Sequence, residues 1–439
     1  MQPVHGNSPT AAERDSAVDA LRTLLAEQDL VDRRIELACG ALDLFLRRAV
    51  SRQDDGSVFV ITGDIPAMWL RDSTGQVRPL LALAGLFPPV LDLVAGVLRT
   101  QVEQVLIDPR ANAFNHADTG EVMRRDFADQ SPWVFERKYA VDSLCAPLTL
   151  AWLLWQTTGS TEHAGTRFRE AATKIVSLWR LEQDHEPGSF VLRRRLARRH
   201  DSLSHRGRGA PVAWTGMTWS GFRPSDDACT YGYNIPANAY AAVSLERLAD
   251  LLDAAPGEQH LSVDARTLAA EIRAGIGTHG LAHHETAGPI YAYEADGIGN
   301  QLLIDDANVP SLLSLPYLGF CRTEDPIYRS TRAWALGPEN PYWSEGGVVK
   351  GVGSTHTRRG WVWPLAIAME GLTASDDAER ERALERLEAT VRPGLLFHES
   401  VSPVDPTNYT RHWFSWADML YVELVLESAG VSRQANSEA

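Results

Sequence analysis

The sequence is poor in cysteine and has no surplus of positive charge. Its 439 residues include four cysteines, at positions 39, 145, 229 and 321, with no CxxC pair and no metal-ligand spacing. We therefore expect reduced, buried thiols. Acidic residues outnumber basic ones by 57 to 42, which gives a net charge of −15. This balance argues against a nucleic-acid partner, because phosphate binding needs a basic face.

Long apolar runs, leader-like segments and familiar cofactor motifs are also missing. No run of about 18 apolar residues occurs, so we expect no membrane-spanning segment. The first twenty residues have neither a basic n-region nor an apolar h-region, which predicts a cytoplasmic protein. There is no GxxxxGKS/T phosphate loop and no GxSxG serine motif. We expect no metal, no cofactor and no obligate protein partner.

Helical patterns dominate the chain, and strand-like pieces such as "SVFVITGD", "PIYAYEAD" and "LLFHES" are few and short. About thirteen helices joined by alternating short turns and long loops predict a closed ring of helical hairpins, an (α/α)6 barrel. A helical solenoid is the alternative, but no fixed-period repeat is visible. We expect one catalytic domain over residues 1–439, with a core from about 30 to 430 and flexible tails. The predicted helices cover residues 10–27, 32–50, 66–85, 88–106, 136–158, 165–184, 232–254, 261–277, 306–318, 324–335, 357–373, 376–391 and 412–429.

The long loops are rich in Gly, Pro, His and Trp, and the chain has thirteen tryptophans. An indole offers a flat apolar face and one donor, so such loops suit a sugar-binding pocket. In "GDIPAMWLRDSTGQ", Trp69, Arg71 and Asp72 could orient ring hydroxyls through charge-assisted hydrogen bonds. The alternative is a structural Arg–Asp pair beside a core tryptophan. His116 has no partners at metal-ligand spacing and is interpreted as a hydroxyl-binding histidine.

Two adjacent aspartates, Asp226 and Asp227, stand ahead of a predicted helix in "FRPSDDACTYGYNIPAN". They could be acidic residues at a helix start, or one of them could be kept for chemistry. A general acid needs a raised pKa, which burial or a neighbouring like charge provides. We favour Asp226 as the proton donor, because it lies further from the helix and the charge of Asp227 would raise its pKa.

A second carboxylate, Glu399, follows a short apolar run in "LLFHES". Alone it could be an incidental exposed glutamate. Two carboxylates from separate loops, surrounded by Trp, His, Asn and Arg, form the set of groups that glycoside hydrolysis needs. One of them protonates the leaving oxygen, and the other activates water or attacks carbon.

Several blocks closely resemble glycoside hydrolase family 125, the exo-α-1,6-mannosidases. They are "DIPAMWLRDS", "TWSGFRPSDDACTYGYNIPAN", "DDANVPSLLSLPYLG", "NPYWSEGGVVKGVGSTHT" and "LFHESV" with "YTRHWFSWADML". The resemblance runs from about residue 30 to 430. It implies an (α/α)6 barrel and a metal-independent, inverting enzyme that removes terminal α-1,6-linked mannose. One departure is "VSPVDP" after "HES", where an asparagine-like residue is expected before the acidic turn.

The resemblance also implies roles for individual residues. The general acid would be Asp226 or Asp227, and the general base Glu399. An inverting pair should stand roughly 6.5–9.5 Å apart, which leaves room for a water molecule. The implied substrate contacts are Trp69, Arg71, Asp72, His116, Arg223, Asn234, His356 and Trp363.

Two other functions fit the same barrel. A sugar isomerase or epimerase would use histidine acid–base pairs, and His116, His356 and His398 keep this hypothesis open. A non-catalytic mannoside-binding protein would keep the aromatic platforms without needing the carboxylate pair. The partner in either case is a sugar.

Overall fold

The computed structural model describes residues 7–28, 30–124, 130–185, 190–194, 199–257, 259–391 and 397–431. The far ends of both predicted tails, residues 1–6 and 432–439, lie outside the described residues. The helices are α1 (Ala11–Ala26), α2 (Asp32–Arg48), α3 (Leu70–Val77), α4 (Pro89–Ile107), α5 (Val141–Thr158), α6 (Thr166–Gln183), α7 (Ser204–Gly207), α8 (Ile235–Ala254), α9 (His260–His279), α10 (Leu315–Leu318), α11 (Pro326–Ala335), α12 (Pro364–Leu372), α13 (Asp377–Glu388) and α14 (Ser415–Ser428).

The longer helices form two concentric rings. Helices α3, α5, α8, α12 and α14 are buried along most of their length, as helices packed on two sides must be. Neighbours around this inner ring touch, as in the pairs α3–α5, α5–α8, α12–α14 and α14–α3. Outer helices such as α2, α9 and α13 bury one face against them. The predicted (α/α)6 barrel is confirmed.

Short antiparallel strands lie in the loops between the helices. The strands are β1 (Val50–Arg52), β2 (Val58–Val60), β3 (Met68–Trp69), β4 (Ala113–Phe114), β5 (Val134–Glu136), β6 (Tyr233–Asn234), β7 (Leu281–His284), β8 (Gly288–Tyr291), β9 (Glu294–Ala295), β10 (Gln301–Leu302), β11 (Trp343–Ser344), β12 (Gly351–Val352), β13 (Ser400–Val401) and β14 (Tyr409–Thr410). They pair as β1–β2, β3–β4–β5, β6–β9–β10, β7–β8, β11–β12 and β13–β14. These small sheets brace the loops that build the pocket.

Most predicted helices are present, but the one predicted over 306–318 is wrong for most of its length. Only Leu315–Leu318 is helical there. The buried carboxylate of Asp305 accepts the backbone N–H groups of Leu312 and Leu313, at 2.8 and 3.1 Å, so these donors bond a side chain instead of a helical carbonyl. The strand predicted from "LLFHES" falls partly on residues 395 and 396, outside the described part, and β13 begins at its last residue.

The cysteines are free, as expected, but only two of them are buried. Cys39 and Cys145 are buried, whereas Cys229 and Cys321 are partly exposed. Over the described residues, no helix has the length and apolar character needed to cross a bilayer. The same part of the chain shows no cluster of three or more His, Cys, Asp or Glu side chains that could hold a metal ion.

Candidate active site

A pocket of about 160 Å³ opens among the loops that precede the inner helices. Trp69, Trp363 and Phe414 are the residues immediately before α3, α12 and α14, and all three line it. The N-terminal ends of three inner helices therefore meet at this pocket, where their dipoles favour negative charge. The full lining is Thr62, Ile65, Trp69, Arg71, Asp72, Met123, Arg124, Glu136, Lys138, Arg194, Asp201, Ser225, Asp226, Asn308, His356, Trp363, Glu399, Arg411 and Phe414.

Asp226 enters this pocket from a tight turn. Its φ of +66° is in the left-handed region, which aspartate tolerates better than most residues. The turn is closed by its N–H, which donates to the Arg223 carbonyl at 2.9 Å, and by the Arg223 N–H, which donates to the Asp227 carbonyl at 2.8 Å. The backbone thus sends the side chains of Asp226 and Asp227 to different surroundings.

The carboxyl of Asp226 shares a hydrogen-bond donor with Glu136. The Asn112 side-chain amide donates to both carboxyls, at 3.1 Å each. Arg194 and Lys138 lie 3.1 and 3.4 Å from Glu136 and stabilise its charge. Burial and this neighbouring negative charge raise the pKa of Asp226 to about 6, against the opposing effect of nearby cations. Asp226 therefore stays protonated at pH values at which an ordinary aspartate has already lost its proton.

Asp227 has a different role. It is buried, accepts a hydrogen bond from Thr355 Oγ1 at 2.6 Å, and lies 2.9 Å from His356 Nδ1. Burial alone would raise its pKa, but the bonds from His356 and Thr355 hold the pKa of Asp227 below its usual value. It does not line the pocket. Helix α8 begins eight residues later, with Asn234 as its N-cap, so neither aspartate stands at the start of this helix.

The partner of Asp227, His356, faces the pocket with about one third of its side chain exposed. Burial opposes its positive charge, but Asp227 and the charge of Glu399 raise the pKa of His356 to about 9. At neutral pH this histidine is an imidazolium. It brings a fixed positive charge to the pocket that holds the two carboxyls.

Glu399 lines the same pocket and is the residue immediately before β13. Thr410 Oγ1 donates to its Oε2 at 3.0 Å and accepts the Ser400 N–H at 3.1 Å. The buried carboxyl of Asp418 stabilises the loop from its core side, because it accepts the Phe397 N–H at 2.9 Å. Glu399 is itself 9% exposed, and it lines the pocket.

Arg71 and Asp72 form a buried ion pair at the pocket, and their predicted contact with sugar hydroxyls stays a prediction. Arg71 pairs with Asp72 and with Asp142 at 2.9 Å each, and all three are buried. The pair is therefore structural, and it also lines the pocket. Trp69 packs edge-on against Phe135, and within the described chain its indole N–H has no acceptor.

Three predicted contacts lie outside the pocket lining. His116 packs edge-on against Phe59 in a separate groove. Arg223 is buried and pairs with Glu294. Asn234 is fully buried, and its side chain accepts the Ala237 N–H at 3.0 Å as the cap of α8.

Several pocket residues were not found from the sequence. Glu136 and Lys138 lie inside "VFERKYAV", where charges in an otherwise apolar run were a usable signal for buried, functional charge. Asp201 in the lining, and Asn112, which donates to Asp226 from outside it, carry no comparable local signal. Arg411 was seen only as part of a motif, and its guanidinium lies 3.9 Å from Glu399.

Comparisons with known proteins agree with this geometry. The sequence profile of a family described as metal-independent α-mannosidase, glycoside hydrolase family 125, matches residues 36–426. The chain is 36% identical over 434 residues to the meiotically up-regulated gene 157 protein of Schizosaccharomyces pombe, covering 94% of this chain and 85% of that protein.

Solved structures point the same way. A metal-independent α-mannosidase of Streptococcus pneumoniae, in a non-productive complex with α-1,6-mannobiose, is 40% identical, with a TM-score of 0.93 over 97% of this chain and all of that one. A bacterial glucoamylase bound to acarbose has a TM-score of 0.58 at 14% identity, over 90% of this chain and 56% of that one. The second likeness concerns the fold alone.

Proposed function

This chain belongs to glycoside hydrolase family 125, the metal-independent α-mannosidases, and on that premise we propose that it releases terminal α-1,6-linked mannose from glycans with inversion. The linkage is inferred from the streptococcal relative, which binds α-1,6-mannobiose. The substrate class is a mannose-containing oligosaccharide. No step of the chemistry below requires a metal or a cofactor.

The observation that carries the proposal is the pair of carboxyls in one pocket. Asp226 and Glu399 line it from loops 173 positions apart in sequence. Asp226 has a raised pKa and can hold a proton, as a general acid must. Glu399 accepts a hydrogen bond from Thr410 through Oε2, and its Oε1, 3.9 Å from the Arg411 guanidinium, can accept one from a water molecule. The two groups are thus suited to opposite roles.

In the proposed reaction, Asp226 gives its proton to the glycosidic oxygen while the bond from that oxygen to the anomeric carbon breaks. Glu399 takes a proton from a water molecule, whose oxygen attacks the anomeric carbon from the opposite face. One displacement inverts the configuration and releases β-mannose from an α-linked substrate. Asp227 supports this step indirectly, by keeping His356 charged in the pocket.

The pocket also suggests how a mannose ring is held. Its volume of about 160 Å³ has room for one pyranose ring, which suits exo action. Arg71, Asp72 and His356 can bond ring hydroxyls, and Trp69 and Trp363 offer apolar faces. The sugar contacts predicted for the three residues outside the lining, His116, Arg223 and Asn234, stay predictions.

A sugar isomerase would need two pocket histidines. Of the three candidates, His356 lines the pocket, whereas His116 lies in the separate groove and His398 stacks on Tyr409 with ring centroids 3.6 Å apart. A binding protein would not need a carboxyl with a raised pKa. Both rival functions are therefore less well supported than hydrolysis.

The test is proton NMR of the first anomer released from α-1,6-mannobiose. We expect β-mannose to appear first and then to mutarotate. We expect Glu399→Gln and Asp226→Asn to fold normally and to lose turnover by several orders of magnitude. α-Mannose as the first product, an isomerised sugar, or near wild-type turnover in Glu399→Gln would overturn the proposal. The cytoplasmic location and the lack of a protein partner stay predictions.

A further inference from the structure

A second, smaller cavity lies inside the barrel, directly behind the catalytic pocket. Its volume is about 30 Å³, enough for one or two particles the size of water and too small for a sugar or a phosphate. Arg71 lines both spaces. The other lining residues are Thr74, Gly75, Arg78, Thr149, Tyr240, Arg247, Val309, Tyr317, Leu318 and Trp416.

The lining carries positive charge and, among the residues described, no carboxylate of its own. Two of the three arginines in the lining are paired with carboxylates that lie outside the lining. Arg71 pairs with Asp72 and Asp142, and Arg78 lies 2.9 Å from Glu423. The third arginine, Arg247, is the exception.

Arg247 is 9% exposed, and its guanidinium lies over the Trp152 ring at 4.7 Å. Within the described ranges it has no ion pair with a carboxylate and no hydrogen bond to an acceptor. Burial lowers the pKa of Arg247 to about 10, and the like charge of Arg78 adds to this effect while Tyr240 opposes it. A buried cation in this state is stabilised by any anion that can reach it.

A buried donor without an acceptor lies on the same cavity. Trp416 is 3% exposed, and its indole N–H has no acceptor among the described residues. Its Nε1 occupies the space over Gly75, only 2.2 Å from where a Cβ on that residue would stand. An indole nitrogen can donate but cannot accept, so a buried one is satisfied only by an acceptor.

We propose that this cavity binds one halide ion, chloride under physiological conditions, between the Arg247 guanidinium and the Trp416 indole N–H. A halide accepts hydrogen bonds and donates none, which matches a lining whose unsatisfied groups are donors. Chloride is only slightly larger than water, so it fits the volume, whereas larger oxyanions do not. The bound ion lies beside Arg71, at the base of the catalytic pocket.

Anomalous diffraction from crystals grown in sodium bromide tests the site directly. We expect a bromide peak in the cavity for the wild-type chain. A cavity that holds only water in the same crystals overturns the proposal.

Thermal unfolding of the full chain provides the second test, with sodium chloride compared with sodium gluconate at equal ionic strength. We expect chloride to raise the Tm above its value in gluconate, because an ion that binds only the folded state stabilises it. Arg247→Gln should weaken this halide response at least tenfold in midpoint concentration. Equal Tm values in the two salts, or an unchanged response in Arg247→Gln, refute the site.

A tryptophan pair supplies the matched control if Arg247→Gln does not fold. Trp334 is also 3% exposed, and its indole N–H too has no acceptor within the part of the chain that the structure describes, but it does not line the cavity. Trp416→Phe should weaken the chloride response, and Trp334→Phe should keep it. Equal responses in the two variants count against the proposal.

Discussion

Replacing Glu136 by glutamine is expected to move the alkaline limb of the activity profile to lower pH. The proposed general acid, Asp226, can donate a proton only while it is protonated, so activity should be present below its pKa and lost as the pH rises through that value. The negative charge of Glu136 favours the protonated form. Without that charge the pKa of Asp226 falls toward its usual value, and the loss of activity begins at lower pH.

The expected change in the pKa of Asp226 can be calculated from the Asn112 nitrogen, which donates to both carboxyls. The bonded oxygens of Glu136 and Asp226 each lie 3.1 Å from the same Asn112 nitrogen, so they are at most 6.2 Å apart, twice 3.1 Å. At an effective dielectric constant of about 20, two charges at this distance interact by about 2.7 kcal/mol. That energy corresponds to about two pKa units. Since Asp226 is partly exposed to water, we expect a shift of about one to two pH units.

The assay is kcat/KM on α-1,6-mannobiose across the pH range, for the wild type and Glu136→Gln. Asp201→Asn is the matched control, because Asp201 contacts the same two cations, Lys138 and Arg194, but shares no donor with Asp226. We expect the control to move the limb by less than half as much. Coincident alkaline limbs for Glu136→Gln and wild type would refute the reasoning, and so would an equal shift in Asp201→Asn.

Two further substitutions test the proposed base, Glu399, and the close packing of Gly63 against Trp413. Thr410→Val keeps the shape of the side chain but removes its hydrogen bond to Glu399, so kcat should fall roughly 10- to 100-fold with little change in KM. Thr410→Ser restores the donor and should recover most of the rate, and a valine variant as active as the serine one would contradict this role. Gly63→Ala should lower the free energy of unfolding by more than about 2 kcal/mol in urea titration, because φ is +117° and a Cβ would stand 2.4 Å from the Trp413 carbonyl oxygen. Gly346→Ala, with φ of +103° and open space around it, measures the backbone cost alone and should be clearly milder.

The sequence was sufficient for the helical architecture, because amphipathic periodicity is a local property. Helices such as α4 and α9 appear within a few residues of their predicted bounds. The failure over 306–318 has a cause within the loop itself. There Pro310 interrupts the segment and the Asp305 carboxylate competes for backbone donors, which the apolar periodicity alone does not show.

For the pocket, too, some features could be predicted from the sequence and others could not. Local motifs and the family resemblance were sufficient to nominate Asp226, Glu399, Trp69 and Arg71, and all four line the pocket. The same motifs nominated Asn234, which lies outside the lining and caps α8, and its sugar contact stays a prediction. A motif identifies which residues a family keeps, but it does not distinguish those that touch a ligand from those that hold the backbone.

Only the tertiary structure decided between the two adjacent aspartates. From the sequence we expect the charge of Asp227 to raise the pKa of Asp226, but the neighbouring charge that raises it is that of Glu136, 90 positions earlier in the chain. Asp227 is turned away and paired with His356. Adjacent residues in a left-handed turn point to different environments, and the charges that fill each environment come from distant loops. The sequence predicts two carboxyls for the chemistry, and the folding of those loops around one pocket decides which of the two aspartates has the raised pKa.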